Sequence, residues 1–324
     1  MKEWGGYLPI DSRGVEYFDF VAEKNVLKLN AARYAIVEAC KIGGFSKLWI
    51  PVYMCASVME AIKADGHIEY GFYNIGEDFE PEIREIGENE CILASNYYGQ
   101  KREDYFERQI WRFGNVIFDN TQCFFANPII RQGVFNVYSP RKFFGASDGA
   151  YLIGSEVNCG GSYELDSSAQ RMGFIMEALE KGTNAGYSDH LGAENELALS
   201  GVKAMSRVTA ALLGNIDYEG IRERRSRNYR VLCERFDDIN ELKTDMKAGS
   251  PMIYPLLLKD AGLRKCLVDI KIYIPQWWKI VIDHPKANEW EKYVSENLYP
   301  LPIDQRYTEQ DMDELSRIIR SKLG

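Results

Sequence analysis

Short apolar runs alternate along the first half of the chain with longer stretches whose apolar positions recur every three or four residues. The runs at 25–29, 47–51, 67–73, 91–95, 115–118, 134–138 and 150–153 predict strands, because each is short and apolar and helix-like stretches or turns separate them. The stretches at 31–42, 55–64 and 102–113 predict helices. Strand and helix in regular alternation are what parallel strands joined by crossover helices require, so the pattern predicts an α/β domain with a mostly parallel central sheet. Past 193 the pattern changes. Residues 193–215 read as helix, and 218–236 as a charged helix containing RERRSRNYRVL. Strands at 250–258 and 271–274 and helices at 288–298 and 309–323 then predict a smaller α+β unit. The boundary falls at 214/215: a large domain 1–214 that includes an N-terminal arm, and a small C-terminal domain 215–324.

Composition narrows the function. A formal net charge of −9 argues against a general nucleic-acid or anionic-membrane surface, so any phosphate site must be built locally. No apolar run approaches a membrane span, and the start MKEWGGYLPI lacks the basic and apolar regions of a secretory leader. The seven cysteines, Cys40, Cys55, Cys91, Cys123, Cys159, Cys233 and Cys266, are scattered and form no CxxC pair. Together these features imply a reducing cytoplasm. The three histidines, His67, His190 and His284, lie far apart, which argues against a metal site.

The chemistry concentrates at two strand ends. Asp119 closes the run NVIFD, and side chains at the carboxyl ends of strands in an open α/β sheet face the ligand crevice. Two uses are open to it: capping the turn that follows, or pairing a protonated pyridine nitrogen. Gln122, three residues on, is a turn residue or an amide donor to the same ring. Lys142 lies 23 residues beyond Asp119, just after the next run, and Phe143, Phe144 and Gly145 follow it. An apolar setting frees a lysine amine for imine chemistry. A carboxylate at one strand end and a lysine after the next meet the needs of pyridoxal 5′-phosphate. For the phosphate, the turn into the helix at Ala31 and Ala32 offers backbone N–H groups and a helix dipole. Ser139 offers a hydroxyl or an ordinary turn contact, and Arg141 a guanidinium that either reaches a phosphate or is solvated.

At these residues the chain resembles the DegT/StrS-type nucleotide-sugar aminotransferases, a branch of the fold type I pyridoxal-phosphate enzymes. LNAARYAIVEAC resembles that family's S-G-x-x-A-L helix start and LWIPVYMCASVMEAI its V-P-x-Y-T-aromatic segment. SNYYGQ is similar to its H-x-Y-G-x loop, FDNTQ to its E-D-x-A-Q/H motif, and SPRKFFGASDGAYL to its S-F-x-x-K-x-x-x-x-G-E-G-G lysine loop. LYPLPIDQRYTEQDMDELSRII resembles its closing segment. The resemblance implies that Lys142 binds the cofactor and shuttles protons, that Asp119 pairs the pyridine nitrogen, and that Gln122 contacts the ring oxygen. It also implies that Ala31, Ala32 and Ser139 hold the phosphate, and that Tyr97 or Tyr98 lines the sugar site. The implied reaction moves an amino group from an amino acid, glutamate, to a keto-sugar acceptor, nucleotide-linked, for amino-sugar or surface-polysaccharide biosynthesis, in a homodimer. The pair Trp277 and Trp278 in YIPQWWK is similar to the family's G-I-x-x-x-x-h-W segment, and core packing is its expected role. The chain departs from the pattern in three places. Cys55 stands where the family stacks an aromatic on the ring, with Tyr53 or Tyr97 as replacements. Only Pro140 and Arg141 separate Ser139 from Lys142, and Ala204 stands in place of an interface arginine. These departures give the alternative reading, a catalytically altered cofactor-binding protein with another reaction or a non-enzymatic role.

Overall fold

The computed structural model describes residues 8, 10–158, 161–260 and 262–323. Most of the N-terminal stretch read for a leader, and Cys159, lie outside the described residues. The first half of the chain runs β1 (Val26–Leu29), α1 (Ala32–Gly43), β2 (Lys47–Pro51), α2 (Ala56–Asp65), β3 (Glu69–Ile75), β4 (Pro81–Glu82), β5 (Glu90–Ser95), α3 (Glu103–Phe113), β6 (Val116–Asp119), β7 (Val134–Tyr138) and β8 (Ala150–Gly154). These strands form one eight-stranded sheet in the order β1-β8-β7-β6-β5-β2-β3-β4. Strands β3, β2, β5, β6 and β7 are mutually parallel, and β8, β1 and β4 join antiparallel at the edges. This is the predicted mostly parallel α/β sheet.

Side chains on the central strands alternate between two cores, as the two-residue period of a strand requires. On β5, Cys91 and Leu93 pack with α1 and α2, among Ala35, Ile36 and Ile62. Ile92 and Ala94 point to the other face, where Tyr105, Ile110 and Phe113 of α3 cover them. Helices on both faces leave the carboxyl ends of β2, β5, β6 and β7 open along one edge. Because β1 and β7 are each antiparallel to β8, β1 runs in their direction and delivers the start of α1 to that same edge.

The second half contains α4 (Gly173–Lys181), α5 (Tyr187–Leu199), α6 (Arg207–Leu213), α7 (Tyr218–Phe236), β9 (Ile253–Leu257), α8 (Leu263–Asp269), α9 (Glu289–Asn297), β10 (Leu298–Pro302) and α10 (Glu309–Arg320). Strands β9 and β10 form a separate antiparallel pair. Tyr229, Leu232 and Phe236 of α7 and Met312, Leu315 and Ile319 of α10 pack on it as a core of their own.

Two expectations are corrected. The helix expected over 193–215 is two helices. α5 begins earlier, at Tyr187, and ends at Leu199; Gly201 then turns at φ +68°, and Ala204 bridges both Leu29 and Leu165. Ser206 restarts the helix by accepting a hydrogen bond from the Thr209 N–H. The strand expected over 271–274 is irregular. Lys271 adopts φ +65° and the Ile272 N–H turns back to the Leu267 carbonyl at 2.8 Å, so the segment wraps the end of α8 and pairs with no strand. Among the described residues the six cysteines are unbridged, and no helix is long and apolar enough to cross a membrane.

Candidate active site

The turns that leave β6 and β7 are neighbours because those strands pair in parallel, Asp119 opposite Val137. Half-buried Asp119 accepts the Thr121 N–H on its Oδ1 at 2.9 Å. This is the turn-capping use, and it occupies one carboxylate oxygen. Thr121 Oγ1 in turn accepts from Lys142 Nζ at 2.9 Å. The two predicted catalytic residues are thereby joined through one threonine, which sits inside FDNTQ and carries no signal of that role in the sequence. Gln122 is buried and its Oε1 accepts the Tyr98 N–H at 2.9 Å. That contact fixes the amide oxygen and holds Tyr98 at φ +56°, so the amide nitrogen is the end left to donate.

The setting of Lys142 differs from the one its neighbours suggested. Phe143 and Phe144 are buried with Phe124, Phe125 and Tyr151 in an aromatic core, whereas Lys142 itself is exposed. The apolar residues anchor the turn and do not enclose the amine. Its immediate partners are polar. It lines a cleft of about 640 Å³ with Arg141, Phe174, Leu179 and His190.

The C-terminal half braces both turns. The Met252 N–H donates to the Gln122 carbonyl at 2.9 Å, and Gln305 Nε2 donates to the Phe143 carbonyl at 2.8 Å. Arg225 of α7, only 2% exposed, gives its Nε to Gln305 Oε1 at 3.1 Å and its Nη1 to the Pro251 and Met252 carbonyls at 3.2 Å. Its guanidinium lies 4.6 Å from the centre of the Phe143 ring. Burial brings its pKa down to about 10, which leaves it charged at neutral pH. None of these contacts has a local sequence signal.

At the start of α1, Ala31 is extended and no side chain caps the helix. Uncapped N–H groups beside the lysine turn suit an anion. Ser139 is buried at the end of β7, and its carbonyl accepts the Lys142 N–H at 3.4 Å. Arg141 is not solvated, one of the two uses open to it: it forms a close ion pair with Glu194 of α5. Asp148, further along the lysine loop, is fully buried. It accepts the Ser206 N–H and Ser206 Oγ, both at 2.8 Å, and Thr209 Oγ1, so it anchors α6 to the loop.

Tyr97 and Tyr98, expected at a sugar site, are 2% and 1% exposed. Tyr97 Oη donates to the Tyr53 carbonyl at 2.8 Å, and the Tyr53 and Tyr98 hydroxyls share a 2.7 Å hydrogen bond. Trp278 packs edge-on to Tyr53 at 4.6 Å, and Trp277 stacks on Tyr98 at 6.2 Å. The tyrosines in this arrangement belong to the core beneath the crevice, with burial pushing the phenol of each up. The tryptophan pair packs, as expected. Tyr53 and Tyr97, the named replacements for a stacking ring, are held in that block. Cys55, at the N-terminus of α2, is half-buried with its Sγ 3.1 Å from Ser57 Oγ.

Comparison with known proteins bears on the fold. No family model and no curated protein matches the chain. Among solved structures it is similar to a DegT/DnrJ/EryC1/StrS aminotransferase from Brucella abortus, at 15% identity and a TM-score of 0.61 over 91% of this chain and 85% of that one. It is also similar to the sugar aminotransferase CalS13 from Micromonospora echinospora, at 13% identity and a TM-score of 0.63 over 92% and 87%. A third is the putative sugar aminotransferase Spr1654 from Streptococcus pneumoniae in its PLP form, at 13% identity and a TM-score of 0.62 over 91% and 86%. The chain has the aminotransferase fold type I that the resemblance implied.

Proposed function

We propose that this chain is a pyridoxal-phosphate-dependent aminotransferase that moves an amino group from an amino acid, glutamate by resemblance, to a keto-sugar, nucleotide-linked, in a cytoplasmic amino-sugar or polysaccharide pathway. The observation that carries the reading is the contact chain Asp119, Thr121, Lys142 at the open ends of β6 and β7. A carboxylate, an amide nitrogen from Gln122, an amine and an uncapped helix start beside the lysine turn form a donor set that fits the cofactor. Similar solved structures include a sugar aminotransferase and a putative sugar aminotransferase in its PLP form, which supports the choice.

When bound, the cofactor supplies an electron sink for carbanion chemistry next to the amino group. The chain's own residues do the rest. Asp119, with one oxygen held by the Thr121 N–H, would have the other to pair the ring nitrogen and keep it protonated. Lys142 would hold the cofactor through its amine, now hydrogen-bonded to Thr121, and its Nζ would take and return the proton that transamination moves. Thr121 holds that amine in line between turns. The 640 Å³ cleft beside Lys142 gives both substrates access to the amine.

A homodimer belongs to the same reading. Leu179 and Tyr187 are exposed at the cleft, and Met176 and Leu191 are exposed on the same two helices, where a second copy would cover them. One feature favours the second reading, an altered cofactor-binding protein: Cys55 supplies no flat ring face where stacking is expected.

The test is direct. Incubation of the full chain with pyridoxal 5′-phosphate, borohydride reduction and peptide mass mapping should place the label on Lys142. Glutamate should yield 2-oxoglutarate, and a panel of keto-sugar nucleotides should then be aminated. Lys142→Ala should lose label and turnover while its unfolding midpoint stays within about 0.5 kcal/mol, since an exposed side chain is removed. A label on another lysine would sink the assignment; a label on Lys142 without turnover by any donor would favour the altered protein.

A further inference from the structure

Arg33, in the first turn of α1, and Arg141, the residue before Lys142, meet on a single carboxylate from a third element. Arg141 pairs closely with Glu194 Oε1, and Arg33 Nη2 lies 3.9 Å from Glu194 Oε2. The two arginine side chains are 16% and 15% exposed, against 31% for Glu194. Arg141 Nε is buried and has no partner. Other charges nearby are already committed. Asp148 is saturated by Ser206 and Thr209, and Arg171 is matched by Asp166 at 2.5 Å and Glu196 at 3.1 Å. Burial, and then the neighbouring Arg33 charge, hold Arg141 down to about 10. Two like charges kept together away from water are costly unless an anion lies between them.

A carboxylate meets that need only in part. It brings one charge and two oxygens to two guanidinium forks. A phosphate monoester brings more charge and three acceptor oxygens, which two forks and the uncapped N–H groups of α1 can divide among themselves. Glu194 is also easy to remove. Of the thirteen residues of α5 only Ala193 and Leu197 are buried, so the helix is held by few apolar contacts.

We propose that Arg33 and Arg141 form an anion clamp for the phosphate monoester of the cofactor, and that Glu194 fills the clamp until the phosphate displaces it. The proposal rests on the aminotransferase reading for the identity of the phosphate. The clamp and the amine of Lys142 then sit on one turn, so occupying the first positions the second.

Calorimetric titration of the full chain with inorganic phosphate, pyridoxal 5′-phosphate, pyridoxal and a nucleoside diphosphate tests it. Glu194→Gln should tighten inorganic phosphate and pyridoxal 5′-phosphate about tenfold, because the competing carboxylate is gone. Arg33→Gln and Arg141→Gln should weaken both about tenfold or more, with pyridoxal unchanged in all three variants. Arg141→Lys, checked by circular dichroism, guards against a misfolded variant and should fall between Gln and Arg. Equal phosphate affinity in wild type and Glu194→Gln overturns the clamp. So does a nucleoside diphosphate whose affinity follows both arginines while that of pyridoxal 5′-phosphate does not, since the phosphate would then be the acceptor's. The two readings separate cleanly. Lys142 labelling with phosphate affinities unchanged across the variants keeps the aminotransferase and removes the clamp. Glu194-dependent phosphate binding without any Lys142 label keeps an anion clamp and removes the aminotransferase.

Discussion

The turn after β7, joined through Thr121 to the turn after β6, and the α4–α5 hairpin line the same cleft but are built in opposite ways. The turns spring from central strands, bury Asn120, Gln122 and Ser139, and are tied from the C-terminal half by Met252, Gln305 and Arg225. The hairpin has almost no core. α4 buries no residue, and Leu179 and Leu199 are 84% and 89% exposed. Hydrogen bonds are concentrated on the strand-borne turns, and apolar surface is left exposed on the sparsely packed helices. The proposed reacting residues stand on the first kind of structure, and Glu194 and His190 on the second.

Arg225→Met offers the hardest test of the braced side. The substitution keeps an apolar stem but removes the donors to the Pro251 and Met252 carbonyls and to Gln305. Buried acceptors left without partners should cost about 2–4 kcal/mol. The urea midpoint should fall with the slope unchanged, and the yield of Lys142 label should fall with it as the Phe143 carbonyl loses its anchored partner. A shift under about 0.5 kcal/mol would mean the brace is idle and the two regions differ less than their contacts suggest.

On the hairpin the same measurement should barely move. Leu179→Ser combined with Leu199→Ser removes two exposed leucines, so stability should stay within about 0.5 kcal/mol while self-association weakens. Light scattering across a concentration series reads the second effect. Unchanged association would place the partner surface elsewhere, and a stable, active monomer in the wild type would remove the need for one.

The same contrast governs what the sequence can reveal. Strands at Lys47–Pro51 and Val134–Tyr138 and the helix Tyr218–Phe236 are legible to the residue, because apolar runs end at turn-formers and Asp217 caps the helix by accepting the Gly220 N–H. β10 is not. Pro300 and Pro302 argue against a strand, yet β10 pairs with β9 alone, and a strand with one partner can spare those N–H groups. α4 and the first turns of α5 are illegible too: α5 has no clear apolar stripe, and that of α4 spans only nine residues. In the site, Asp119, Gln122 and Lys142 are legible because each lies in a linear motif next to a strand end. Arg33 and Glu194 are not, since their meaning comes from meeting Arg141 across widely separated parts of the chain. Thr121 lies in plain view, but only the pairing of β6 with β7 shows what its hydroxyl holds.

The smallest effect expected concerns His190 and the pH dependence of the hairpin. His190 of α5 packs on Phe174 of α4 at 4.9 Å, and its Nδ1 is buried with no partner. Burial, and then the charge of Arg141, lower its pKa from the ordinary 6.5. The folded chain therefore resists a proton that the unfolded chain accepts. Stability from this source is complete above the ordinary histidine range and declines as pH falls through and below it. Because the ring is only partly buried, the decline should be small, a fraction of the roughly 1.4 kcal/mol that one full pKa unit would carry. His190→Gln cannot titrate, so the difference between its urea midpoints at about pH 7.5 and about pH 5.5 should be smaller than in the wild type. If both proteins lose stability equally over that interval, His190 is not buried against Phe174 in solution, and the hairpin is looser still than its sparse core implies.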